Sequence, residues 1–134
     1  NYLEGSRFSM KQKKTFRFFL EDIVESIGKI EAYTRNLSYI KFTKDSKTID
    51  AVVRNLEIIG EAAKHIPTSI RLKQTEIPWK KMIGLRNIIT HEYFGIDEKI
   101  IWEIVKRDLS DVKRSIIKYL QPNQGQIIIS EKEK

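Results

Sequence analysis

Three stretches of this chain repeat apolar residues every three or four positions, and prolines or aspartates punctuate them. In the first, Phe16, Phe19, Leu20, Ile23, Ile27, Ile30 and Leu37 recur, with Glu21, Glu25, Lys29 and Arg35 between them. That is the pattern of a helix with one buried stripe. The second opens after Asp45 and Ser46, either of which suits a helix N-cap. It runs through Ile49, Val52, Val53, Leu56, Ile59, Ala63 and Ile66 until Pro67 stops it. The last begins after Asp97, another N-cap residue, and presents Ile101, Ile104, Val105, Leu109, Val112, Ile116 and Leu120 before Pro122. Between these, Pro67 can open a short helix to about Lys73. Pro78 suits the first turn of another, carrying Trp79, Met82, Ile83, Leu85, Ile88 and Ile89 and ending near Gly95. Strand alternation of useful length is absent apart from "QIIIS" at 126–130. The expectation is an all-α, up-and-down helical bundle of four main helices plus a short connecting helix.

A length of 134 residues fits one domain, expected over residues 10–120. Residues 1–9, "NYLEGSRFS", read as a tag remnant ahead of a native Met10, and 121–134 as a flexible polar tail. Hydrophobic residues make up 40% and charged residues 32%, enough to bury a core and stay soluble. No apolar run approaches the ~20 residues that span a bilayer. The N-terminus lacks the basic-then-apolar layout of a signal peptide. Cysteine is absent, which excludes disulfides and thiolate metal sites. The expected location is cytoplasmic, away from any membrane.

Lys and Arg number 25 against 18 Asp and Glu, a formal charge of +7. Such a surplus favours a polyanionic partner, because a phosphate backbone rewards each cation that displaces a counterion. Lys80, Lys81, Arg107, Lys113, Arg114 and Lys118 are the residues available for an RNA-facing surface. Glu103, Asp108 and Asp111 are interleaved among them, so most read as a solvated, internally paired face. Lys80 and Lys81 are the better RNA-binding candidates. Trp79 and Trp102 are assigned to the core.

The polar cluster "RNIITHEYFG", residues 86–95, stands out from its apolar flanks. At 100° per residue, Tyr93 lies about 20° around a helix from Arg86, and Asn87 and His91 share a face. Arg86 and His91 are about 140° apart on a straight helix. They converge only if the helix ends between them or a second subunit supplies half of the site. Gly95 makes a local end plausible on chemical grounds. The residue types suit phosphodiester cleavage: arginine stabilises added negative charge and histidine moves a proton near neutral pH. RNA supplies its own nucleophile, the 2′-hydroxyl, so the chemistry requires no metal. From spacing alone, a helix-capping His91 and a salt-bridged Arg86 remain the simpler reading.

The segment "IPWKKMIGLRNIITHEYFGID", residues 77–97, resembles the signature of the HepT-like HEPN ribonucleases. These are the toxin halves of the HepT–MntA (HEPN–MNT) toxin–antitoxin pairs. That motif is Arg, four residues, His, any residue, Tyr, with Asn commonly after the Arg; the matching positions are Arg86, Asn87, His91 and Tyr93. "AVVRNLEIIGEAAKHI", residues 51–66, is similar to the family's second helix.

The resemblance implies a helical homodimer with two motif copies facing one cleft. It implies a metal-independent endoribonuclease without cofactor, in which Arg86 holds the scissile phosphate and His91 transfers a proton. Asn87 would position either of them. It further implies a minimal nucleotidyltransferase partner that transfers AMP to Tyr93. Its RNA target is left open between tRNA and mRNA. The alternative is a non-enzymatic helical subunit that helps a nucleotidyltransferase hold nucleotide or substrate. A third possibility is a dimerisation scaffold whose motif pins the interface.

Glu57, Glu61 and His65 follow at i, i+4 spacing on one helix face. Di-metal bundle sites use Glu-x-x-His from two helices, and no second copy occurs, so no metal site is assigned. Glu61 and Arg54, both within the second matching stretch, are given supporting roles near the cleft.

Overall fold

The computed structural model describes the backbone of residues 2–90 and 97–121, and side chains over 16–85 and 97–121. Its helices are α1 (Tyr2–Thr34), α2 (Tyr39–Thr43), α3 (Ser46–Lys64), α4 (Thr68–Lys73), α5 (Trp79–Thr90), α6 (Glu98–Glu103) and α7 (Leu109–Leu120). A π-helical turn, Ile104–Asp108, joins the last two into one continuous rod. The four long rods are those expected, and α4 is the expected connector. No strand occurs among the described residues.

Side-chain chemistry sets the helix starts. Asp45 caps α3: its carboxylate accepts from the Thr48 backbone N–H at 3.1 Å and the Thr48 hydroxyl at 2.7 Å. These two bonds, with the charge of Lys47, hold the Asp45 carboxyl below the usual carboxylate range. Asp97 caps α6 by accepting from the N–H groups of Lys99 (3.1 Å) and Ile100 (3.3 Å). Pro78 stands just ahead of α5, and its carbonyl accepts the Met82 N–H at 3.0 Å. Pro67 stands in the same relation to α4, accepting from Ile70 and Arg71.

α3 packs on α1 and on α5, and α7 packs on α1. The core joins Leu20, Ile23, Ile27 and Ile30 of α1 to Val52, Leu56 and Ile59 of α3. Trp79, Met82 and Leu85 of α5 and Ile101, Val105, Leu109, Val112 and Ile116 complete it. Buried polar side chains are satisfied locally. Thr34 Oγ1 donates to the Ile30 carbonyl at 2.8 Å, and Asn55 Nδ2 to the Ala51 carbonyl at 2.8 Å. No buried side-chain polar atom among the described residues lacks a partner, as close-packed interiors require.

Three details depart from the periodicity. α1 begins at Tyr2, ahead of the periodic stretch that starts at Phe16. It ends at Thr34 rather than reaching Leu37, whose N–H instead closes a turn onto the Thr34 carbonyl at 3.1 Å. The short helix α2, capped by Ser38, fills the gap before α3. No helix among the described residues is long and apolar enough to cross a membrane. The expected tail falls, beyond Gln121, outside the described residues.

Candidate functional site

α5 changes character along its length. Trp79, Met82 and Leu85 are buried toward the bundle, and the Trp79 indole N–H donates to the Gln74 carbonyl at 3.0 Å. Arg86 and Asn87 follow directly on Leu85, their backbone still helical within α5. His91 and Tyr93 lie outside the described residues. The described backbone runs to Thr90 at the end of α5 and takes up again at Asp97, which caps α6.

Grooves flank α5 and α3. Between α5 and the α6–α7 rod lies a cleft of about 460 Å³ with a floor of Met82, Leu85, Ile104, Leu109 and Val112. Its rim carries Glu76, Asp108 and Asp111 against Lys81. Three carboxylates beside one ammonium make it a poor bed for a phosphate chain. On the other side of α5, Lys80 lines a groove shared with α4, alongside Thr68, Arg71, Leu72 and Trp79. Lys80 and Lys81, about 100° apart around α5, thus line different grooves.

Arg54 and Glu61 do come together. Both line a groove of about 360 Å³ between α1 and α3, with Phe19, Asp22, Glu57 and Ile58. Glu61 Oε1 lies 3.4 Å from His65 Nε2 across one helical turn, and the His65 ring stacks on Phe19 with centroids 4.7 Å apart. An aromatic stack and a carboxylate thus account for His65. Among the described residues no three His, Cys, Asp or Glu side chains group as metal ligands.

The other basic candidates divide. Lys113 Nζ donates to Glu31 Oε1 at 2.8 Å and Arg114 pairs with Asp111 at 3.0 Å. The Arg114 pair is the one expected of a solvated face, whereas Lys113 reaches across to α1. Trp79 is core as expected, whereas Trp102 is only half-buried. It packs on Phe42 at 4.9 Å and carries the Lys106 ammonium 4.7 Å from its ring centre. The Lys99, Trp102, Lys106 spacing of three and four is the sequence signal that could have singled it out.

Comparison with known proteins converges on one group. A family model described as ribonuclease HepT-like matches residues 23–119. A Thermococcus cleftensis protein named "Probable ribonuclease HepT" is 44% identical over 101 residues, covering 75% of this chain and 92% of that protein. A Methanocaldococcus jannaschii protein named as a candidate RNase is 42% identical over 104 residues, covering 78% of this chain and 95% of its own length. A candidate RNase of Caldanaerobacter subterraneus is 37% identical over 108 residues, covering 81% and 96%. No solved structure matches the chain.

Proposed function

The chain belongs to the ribonuclease HepT-like family, and from that premise we propose that it is a metal-independent endoribonuclease toxin, silenced by AMP transfer to Tyr93. The observation carrying most weight is the family match over residues 23–119, which spans Arg86, Asn87, His91 and Tyr93 together. The RNA 2′-hydroxyl attacks the adjoining phosphorus, its proton passes to His91, and the 5′-oxygen departs, taking up a proton in turn. Arg86 stabilises the added negative charge on the phosphoryl oxygens. Asn87, one residue on, positions phosphate or imidazole. Arg54 and Glu61, which share a groove on α3, support the site's framework.

A homodimer resolves the angular separation of Arg86 and His91 by bringing two motif copies to one substrate. Regulation follows from charge and bulk. A nucleotidyltransferase partner joins the Tyr93 phenolic oxygen to the α-phosphorus of ATP and releases pyrophosphate. The resulting phosphodiester adds negative charge where an RNA phosphate must sit, so substrate is repelled.

The test is incubation of purified protein with labelled tRNA and mRNA in excess EDTA, beside folded His91→Ala and Arg86→Ala variants. Cleavage should survive EDTA and fall by roughly 10²–10⁴ in His91→Ala, the range for losing a general acid or base. Absence of cleavage by protein shown by intact mass to carry no AMP would transfer the role to a non-enzymatic binding subunit.

A further inference from the structure

α2 and α6 meet at the start of the last rod, on a surface that packing does not explain. Tyr39 is 39% exposed and the adjoining Ile40 65% exposed. The Tyr39 ring lies 6.2 Å from that of Trp102, tilted by 52°. Beneath them Phe42 is fully buried and fixes Trp102 from below. Lys106 is set against the same indole and donates to the Thr34 carbonyl at 3.3 Å. The result is a half-open aromatic wedge with a cation fastened to it.

Charge around the wedge is one-sided in its availability. Lys41, Lys99 and Lys106 take part in none of the ion pairs among the described residues. The nearby Asp97 carboxylate is engaged by two backbone N–H groups. Glu98, one turn before Trp102, and Glu103, four residues after Lys99, are the acidic side chains that share this side by spacing. By contrast, Lys113 and Arg114 farther along α7 are already paired with carboxylates.

We infer that the α2–α6 surface is a contact site for single-stranded RNA, with the exposed Tyr39 ring, backed by Trp102, stacking a base and Lys41 and Lys99 meeting its phosphates. Aromatic faces beside unpaired cations are what sequence-tolerant single-strand binding needs. This assignment rests on the ribonuclease reading and extends it to substrate placement. Chain geometry supports the reach. Tyr93 precedes Asp97 by four residues and Trp102 follows it by five, so the chain keeps Tyr93 within roughly 22 Å of Trp102. RNA seated on the wedge can therefore extend toward Tyr93. These surface residues position substrate and take no part in bond breaking.

The experiment is fluorescence anisotropy with a labelled single-stranded 2′-O-methyl RNA, which lacks the nucleophile, together with cleavage of the matching RNA. Tyr39→Ala should weaken binding roughly ten-fold or more, and Tyr39→Phe should restore it, as stacking rather than the hydroxyl is used. Lys99→Gln should lower the slope of log affinity against log salt by roughly 0.7. Glu98→Gln should tighten binding. In cleavage, Tyr39→Ala should raise KM and leave kcat unchanged.

If wild type binds and cleaves RNA while Tyr39→Ala matches it within about two-fold in affinity, the surface assignment falls and the ribonuclease reading stands. If wild type neither binds nor cleaves, both fall. If Tyr39→Ala keeps RNA affinity but loses a nucleotidyltransferase partner, the surface is a protein-docking site and the RNA assignment is overturned.

Discussion

α3 and the α6–α7 rod are both long amphipathic helices, yet one is regular and the other is not. α3 lies between α1 and α5 and buries Val52, Asn55, Leu56, Ile59, Gly60 and Ala63. Its first turn is held by Asp45, and its end by the N–H groups of His65 and Ile66 on the carbonyls of Ala62 and Ala63. The last rod rests on α1 and borders an open cleft toward α5. There the Leu109 N–H reaches back to the Ile104 carbonyl, five residues away, in a π turn. Ile104 and Asp108 of that turn line the cleft, whereas α3 keeps ordinary α-helical bonding between its two neighbours.

Matched core truncations test this contrast first. Leu56→Ala should cost near the top of the ~2–5 kcal/mol range for buried leucine, because neither flank can collapse. Leu109→Ala, bordering the cleft, should cost about 2 kcal/mol, since neighbours can relax into open space. Urea unfolding of both variants measures the difference, and equal losses would break the comparison.

A smaller effect of opposite sign belongs to Gly84, whose added Cβ would meet nothing within 4 Å on the cleft side of α5. Gly84→Ala should stabilise by about 0.5–1 kcal/mol through helix propensity, seen as a raised Tm. A destabilised variant would mean the cleft is closed in solution.

The caps sharpen the contrast through pH. Asp45 has a folded-state pKa below its unfolded value, so its contribution is present above the unfolded pKa and lost as pH falls through the folded one. Asp45→Asn should therefore flatten the acid limb of a stability–pH curve and leave neutral-pH folding intact. Smallest of all, Arg114→Ala should change stability by less than about 0.5 kcal/mol, since its pair with Asp111 is solvent-exposed.

The regular helix was the more legible. Asp45, Pro67 and the spacing from Ile49 to Ile66 marked α3 closely, because caps and burial periodicity are local and repeat over many residues. The π turn left only two successive spacings of four, from Ile101 to Val105 to Leu109, too short a signal to separate from ordinary scatter. α2 was unread for a related reason: five residues hold little more than one helical period, and Ser38 was its only marker. The proposed site of Arg86, Asn87, His91 and Tyr93 rests on residue identities, since His91 and Tyr93 lie outside the described residues. The meeting of Tyr39 with Trp102 depends on which helices become neighbours. Periodicity along one helix does not encode that.

The two tryptophans give the molecule a pair of optical reporters at opposite depths. Trp79 is 7% exposed and hydrogen-bonded to a carbonyl, so its emission should be blue-shifted and shielded from iodide until the bundle unfolds. Trp102 is half-buried under a lysine ammonium, so iodide, attracted to that charge, should quench it in the folded protein. One spectrum, with and without quencher, therefore follows global unfolding and occupancy of the α2–α6 surface separately, without attaching a dye.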